Sequence, residues 1–228
     1  SVFAVCLYIN FNFNAVMVGV IYLAPMVPLG FTEVNAPRFL MVSFQNLVFG
    51  AIELVVFAIT VKKSDIQFNK DHIKQLFGHT LPVASALLGL SFMGRSAIEP
   101  MSGLELSCIV AIFFLGSVLR VLAVYQIGAM AFKFDIAFRE KQKLKTDQLY
   151  GWVRHPSYFA MMIVLFAYAF NANSVVAAIL AIVLAWAGFQ YRIIHEEKAL
   201  ELQFGEDYRY YKLGTGMWFP RLGGDLNK

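Results

Sequence analysis

Apolar residues fill six stretches of the chain, at about 2–29, 39–61, 80–93, 104–132, 158–170 and 174–194, and polar residues collect between them. An apolar run of eighteen or more residues is long enough to cross a hydrocarbon core about 30 Å thick. The pattern predicts an all-α integral membrane protein of about six transmembrane or membrane-embedded helices. The last two runs are separated only by Asn171-Ala172-Asn173 and so form a helical hairpin, which a polar tail follows. No internal repeat interrupts the chain. The N-terminal helices over 1–110 carry no recognisable motif, and the membrane core over 111–228 holds every block described below.

The fifth run is short. From Pro156 to residue 170 a helix rises about 22 Å at about 1.5 Å per residue, less than the hydrocarbon thickness. If the asparagine turn reaches the far interface, His155-Pro156 sits below the near surface. Non-helical backbone at that depth is tolerated only inside protein or beside a polar cavity, so a cavity is expected beside these two residues.

Composition agrees with the pattern: 59% of residues are hydrophobic and 15% charged, against about 45–50% and about 25% in soluble domains. The basic residues add an orientation. They gather in the second loop (Lys62, Lys63, Lys70, Lys74), in the fourth (Lys133, Arg139, Lys141, Lys143, Lys145, Arg154) and in the tail. With six segments these regions share one face, which places both termini on the cytoplasmic side. Arg38 and Arg95 fall in loops of the other face, and Arg120 and Glu53 inside spans, where a charge marks a functional site or a buried ion pair. Cys6 and Cys108 lie in apolar runs without zinc or redox spacing and read as buried thiols. A net charge of +4 without a basic, aromatic-rich block gives no sign of nucleic acid.

Two blocks carry candidate chemistry. The first, Leu149-Tyr150-Gly151-Trp152-Val153-Arg154-His155-Pro156-Ser157-Tyr158, sets polar groups directly before a membrane helix. Proline at the first helical position removes a donor that would be unpaired anyway, and the remaining first-turn N–H groups suit an anion. Alone, this block reads more readily as an interfacial anchor. The second block runs from Arg192 through His195, Glu196 and Glu197 to Leu200, Phe204, Tyr208 and Tyr211. On one continuous helix Ile193, Glu197, Leu200, Phe204, Tyr208 and Tyr211 share a stripe. A carboxylate on such a stripe near a membrane is costly unless paired. Arg192 and Glu196, four apart, equally describe a salt bridge. The blocks flank one hairpin, so donors of the first should face carboxylates of the second around a pocket for a zwitterion. Ser157 has no evident base, and His72, His79, His155 and His195 lack metal-ligand spacing, so no hydrolase or metal centre is expected. Gly214-Thr215-Gly216 reads as a turn, and Trp152, Trp186 and Trp218 as interface anchors.

The run Tyr150 to Tyr158, with Arg192, Glu196-Glu197, Leu200, Phe204-Gly205-Glu206-Asp207-Tyr208, Tyr211 and Pro220, resembles the two signature blocks of the isoprenylcysteine carboxyl methyltransferases. Related membrane phospholipid methyltransferases share the outline. The likeness extends upstream to Gly116, Leu119-Arg120, Ala123 and Gly128. It implies S-adenosylmethionine as cofactor, held by His155, Pro156, Tyr158, Glu196 and Glu197. It makes Arg154 and Arg192 the carboxylate-anchoring, catalytic pair and places Arg120 at the methyl acceptor. It further implies a prenylated protein or peptide C-terminus as acceptor, membrane lipid as surroundings and the endoplasmic reticulum as location, with another organelle, such as the mitochondrial inner membrane, left open by the charge pattern. Phospholipid N-methylation is a second reading. A catalytically silent subunit of a membrane complex is a third, motivated by residues 129–133, which lack the polar groups usual after the glycine matched by Gly128.

Overall fold

A computed structural model describes residues 13–27, 36–60, 70–128 and 143–221. Helix α1 (Phe13–Leu23) runs into a short 3-10 turn (Ala24–Met26). It is followed by α2 (Ala36–Thr60), α3 (Lys70–Ser96), α4 (Gly103–Ile127), the single turn α5 (Leu149–Trp152), α6 (Pro156–Ala172), α7 (Val175–Phe204) and α8 (Glu206–Gly214). Four helices, α2, α3, α4 and α7, are long and apolar enough to cross a membrane, and α1 and α6 are shorter apolar helices. This is the expected all-α integral membrane protein.

The faces of these helices confirm which solvent they meet. Leu40, Leu47, Val55 and Ile59 on α2, Leu115, Val118 and Val121 on α4, and Val176, Leu180 and Val183 on α7 point outward. A water-facing surface of this kind would associate, whereas in lipid it is the expected boundary. Cys108, expected to be buried, is exposed on α4 among such residues. Cys6 lies outside the described residues.

Helix α6 is the core element, packed by α4, α3 and α7, and Ala160, Val164, Ala167 and Tyr168 on it are fully buried. Its 17 residues span about 25 Å, in keeping with the short fifth run. Helices α4 and α6 cross closely at Gly116, where a Cβ would stand 2.8 Å from Val164. Small residues at a helix crossing replace the hydrophobic drive that lipid does not supply. Ser102 caps α4 by accepting from the Glu105 amide, and Gly128, at a φ of 82°, ends it. Asn173 in the left-handed region closes α6, and Ser174 caps α7.

Four further expectations change. Helix α3 begins at Lys70 rather than near residue 80, with His72 and Gln75 buried on its inner side. The sixth apolar run and the polar stretch after it form one 30-residue helix, α7. That helix stops at Gly205, whose φ of 53° breaks the stripe, so Tyr208 and Tyr211 belong to α8. Arg38 and Arg95, expected in loops, are buried helical residues. Arg38 binds the Asn171 and Glu99 carbonyls at 2.9 and 2.7 Å and pairs with Glu105 at 2.9 Å. Arg95 donates to the Pro25 and Val27 carbonyls and lies over the Phe39 ring. Together they tie the helix ends at one end of the bundle. Lys70, Lys143, Arg154, Lys212 and Arg221 stand at the other, while Lys62, Lys63, Lys133, Arg139 and Lys141 lie outside the described residues.

Single cysteines at Lys70 and Lys143 should therefore react with an impermeant reagent from one side of sealed vesicles, and a cysteine at the exposed Ile98 from the other. Labelling of the first two from opposite sides would break this helix order.

Candidate functional site

The site grows from the polar stretch between α4 and α6. The turn α5 is pinned to the end of α4. The Leu149 amide donates to Gln126 Oε1 at 3.0 Å, and the Tyr150 hydroxyl to the Ala123 carbonyl at 3.2 Å. Beyond it Val153 forms a single parallel bridge with Gly216. The Arg154 amide donates to the Gly216 carbonyl at 2.8 Å and the His155 amide to the Met217 carbonyl at 3.3 Å. The non-helical backbone before Pro156 is thus satisfied by the chain's own tail, as buried backbone must be. Only glycine permits this turn, because a Cβ at Gly216 would run into the Phe219 carbonyl oxygen. The Trp218 indole N–H secures the strap to α7 by donating to Gln190 Oε1 at 3.0 Å.

Helix α7, about 45 Å long at about 1.5 Å per residue, exceeds the hydrocarbon thickness and carries its last turns alongside this strap. Two carboxylates meet the first block there. Glu197 Oε1 accepts from Arg154 Nε at 2.8 Å and from His155 Nε2 at 3.1 Å. Glu196 Oε1 accepts from the Tyr158 hydroxyl at 2.6 Å and from Arg192 Nε at 2.9 Å. Arg154 also donates to the Thr215 carbonyl. Lys212 Nζ stands 3.8 Å from Glu197 and 3.4 Å from Glu201. Charge-assisted bonds of this kind are about twice as strong as neutral ones, and here they form in largely buried surroundings. On α8, burial and then Glu197 raise the Tyr208 hydroxyl above its usual range, and burial does the same for Tyr211. The Tyr211 hydroxyl donates to the Tyr150 carbonyl.

His155, Pro156, Tyr158, Glu196, Glu197, Arg154 and Arg192 are thus brought together. Their charges, expected to face one another around a pocket, close directly on one another. Arg120 joins through the next residue of the first block, donating to the Ser157 hydroxyl. Its other side is held by both oxygens of Glu53 on α2, at 2.7 and 2.9 Å. The Arg192–Glu196 salt bridge and the Arg120–Glu53 ion pair, both open from the sequence, are present.

Sequence reasoning missed the strap. Its one signal was the glycine pair, read as a plain turn. It also missed an aromatic group beside the cluster: Tyr158 lies 5.5 Å from Phe189 and 5.9 Å from His155, centroid to centroid. The residues 129–133 fall outside the described part of the chain. Among the described residues no group of three or more His, Cys, Asp or Glu could hold a metal.

Residues 109–202 match the isoprenylcysteine carboxyl methyltransferase (ICMT) family. Over 110 residues the chain is 33% identical to a protein-S-isoprenylcysteine O-methyltransferase of Schizosaccharomyces pombe, an alignment covering 47% of this chain and 46% of that protein. The chain thus matches just under half of that relative's length. The resemblance carried by the two blocks is borne out over this stretch, which includes Arg120, Arg154 to Tyr158, and Arg192 to Glu197. Gly205 to Pro220, with the strap, lie beyond the family match.

Proposed function

We propose that the protein transfers a methyl group from S-adenosylmethionine to the C-terminal carboxylate of a prenylated cysteine or a similar lipid-like acceptor, in the endoplasmic reticulum membrane. The observation that carries this reading is the closure of the two matched blocks into one ion-paired cluster at the start of a short, buried membrane helix.

The donor set suits the cofactor. Glu196 Oε1 is taken by Tyr158 and Arg192, while its Oε2 has His155 Nδ1 at 3.8 Å, beyond hydrogen-bond distance, and can accept from an ammonium or a ribose hydroxyl. The faces of His155, Tyr158 and Phe189 suit a sulfonium cation. His155, Pro156, Tyr158, Glu196 and Glu197 would hold the cofactor. Arg154 and Arg192 fix the two carboxylates and set positive charge beside the acceptor's carboxylate, and Arg120 supports the acceptor's side through Ser157.

The cofactor's sulfonium supplies an electrophilic methyl carbon. An α-carboxylate, with a pKa of about 3.5, is ionised at neutral pH and needs no general base. The protein's part is then alignment and the removal of water. Alignment can supply about 7–11 kcal/mol of barrier lowering.

Detergent-solubilised protein given labelled S-adenosylmethionine should convert N-acetyl-S-farnesylcysteine to a base-labile ester and leave phosphatidylethanolamine unmodified. Transfer to the amino-lipid alone would make the protein an N-methyltransferase. No transfer to either, with no S-adenosylhomocysteine binding by calorimetry, would leave a silent membrane subunit.

A further inference from the structure

Helix α3 changes its winding where it passes the cluster. Leu76–Thr80 form a π-helical turn, a local widening that is rare and is frequent at functional sites. The turn lies outside the matched stretch. Gly78 within it admits the Tyr191 ring of α7, which a Cβ would approach to 2.5 Å. The next residue, His79, is turned onto α7, where its Nδ1 lies 3.2 Å from the Gly188 carbonyl oxygen. Gly188 allows that approach, since a Cβ there would stand 3.1 Å from the His79 carbonyl oxygen and 3.0 Å from Val83.

A carbonyl oxygen only accepts, so Nδ1 carries a proton, and in the neutral ring Nε2 presents a lone pair. No hydrogen bond engages Nε2 among the described residues, and Nε2 is not among the sealed polar atoms. The ring stands 6.2 Å from Tyr158 and 5.7 Å from Phe189, with Arg192, Glu196 and Arg120 as the charged groups around it. Beside it the Arg192 and Tyr158 donors both meet Glu196 Oε1. His79 Nε2 is therefore a neutral acceptor beside the cluster.

We propose that His79 is a specificity-determining residue that accepts the amide N–H of the methyl acceptor. This rests on the carboxylate-methylation reading above. In any C-terminal residue the amide nitrogen sits on the carbon that bears the carboxylate. The reacting carboxylate must keep a lone pair for the methyl group, so the N–H is the donor by which the protein can hold that end of the molecule. An acceptor aimed at it selects acylated, peptide-like cysteine over a prenylated acid without nitrogen.

The test compares N-acetyl-S-farnesylcysteine with S-farnesyl-3-mercaptopropionate, which keeps the prenyl thioether and carboxylate but lacks the amide. The wild-type protein should favour the acylated compound by about tenfold in kcat/KM, the worth of one neutral hydrogen bond. His79→Asn keeps a donor for the Gly188 carbonyl but has no atom at Nε2, and should bring the two compounds to near parity. His79→Gln, which sets an oxygen near the Nε2 position, should retain most of the preference. Equal losses on both compounds in His79→Asn, an intact preference in it, or parity already in the wild type would each overturn the inference while leaving carboxylate methylation standing. A wild-type protein that methylates neither compound would remove both.

Discussion

Replacing Glu53 with leucine should destabilise the protein by about 3–5 kcal/mol, because it leaves the buried Arg120 guanidinium without its carboxylate. The pair is bidentate and joins α2 to α4, and through Ser157 it reaches the first turn of α6. The double variant Glu53→Leu/Arg120→Met should recover most of that loss, since apolar groups of similar volume often replace a buried ion pair at little cost. Unfolding titrations in mixed micelles would measure both. A loss below about 1 kcal/mol in the single variant would place the pair in the class of weak surface bridges. The pair also predicts that the N-terminal helices are needed for the site, since Glu53 lies in α2, well before the stretch that matches the methyltransferase family.

The Glu197→Gln change should weaken S-adenosylhomocysteine binding by about 1.5–3 kcal/mol, the worth of a hydrogen bond to a charged group. It keeps the shape of the side chain but removes the charge that Arg154 and His155 meet at 2.8 and 3.1 Å. Glu206 is exposed and, among the described residues, pairs with Arg209 at the surface, so Glu206→Gln should leave the affinity unchanged. Calorimetry on both proteins, with thermal unfolding alongside to separate loss of fold from loss of contact, decides the matter. Unchanged affinity in a folded Glu197→Gln protein would remove Glu197 from the cofactor site.

Much of this arrangement was legible because the bilayer imposes a simple rule on apolar segments. The order of the helices and the short α6 followed from run lengths alone. The meeting of Arg154 and His155 with Glu196 and Glu197 followed from a hairpin that returns one block beside the other. Polar residues that turn inward were less visible. His72 and Gln75 give the start of α3 its buried side but look like loop residues to a hydropathy count. Arg38 and Arg95 read as loop charges because a count of positive residues records where they stand in the chain and says nothing of burial. The strap over Val153 to His155 is made by backbone groups, which leave almost no signature in side chains except Gly216, where nothing larger fits. The π-helical turn at Leu76–Thr80 left none, since the residues in it are compatible with an ordinary α-helix.

The strap also sets an order on biogenesis. Arg154 and His155 wait for carbonyl partners at Gly216 and Met217, some sixty residues further along the chain. Every apolar helix described here lies before those partners in the chain and is translated first. Until then the first block has its side chains but not its backbone clasp. Completion of the site is therefore a late event, separable from membrane insertion, and a chain truncated just before Gly216 and released would hold all its membrane helices but lack the clasp.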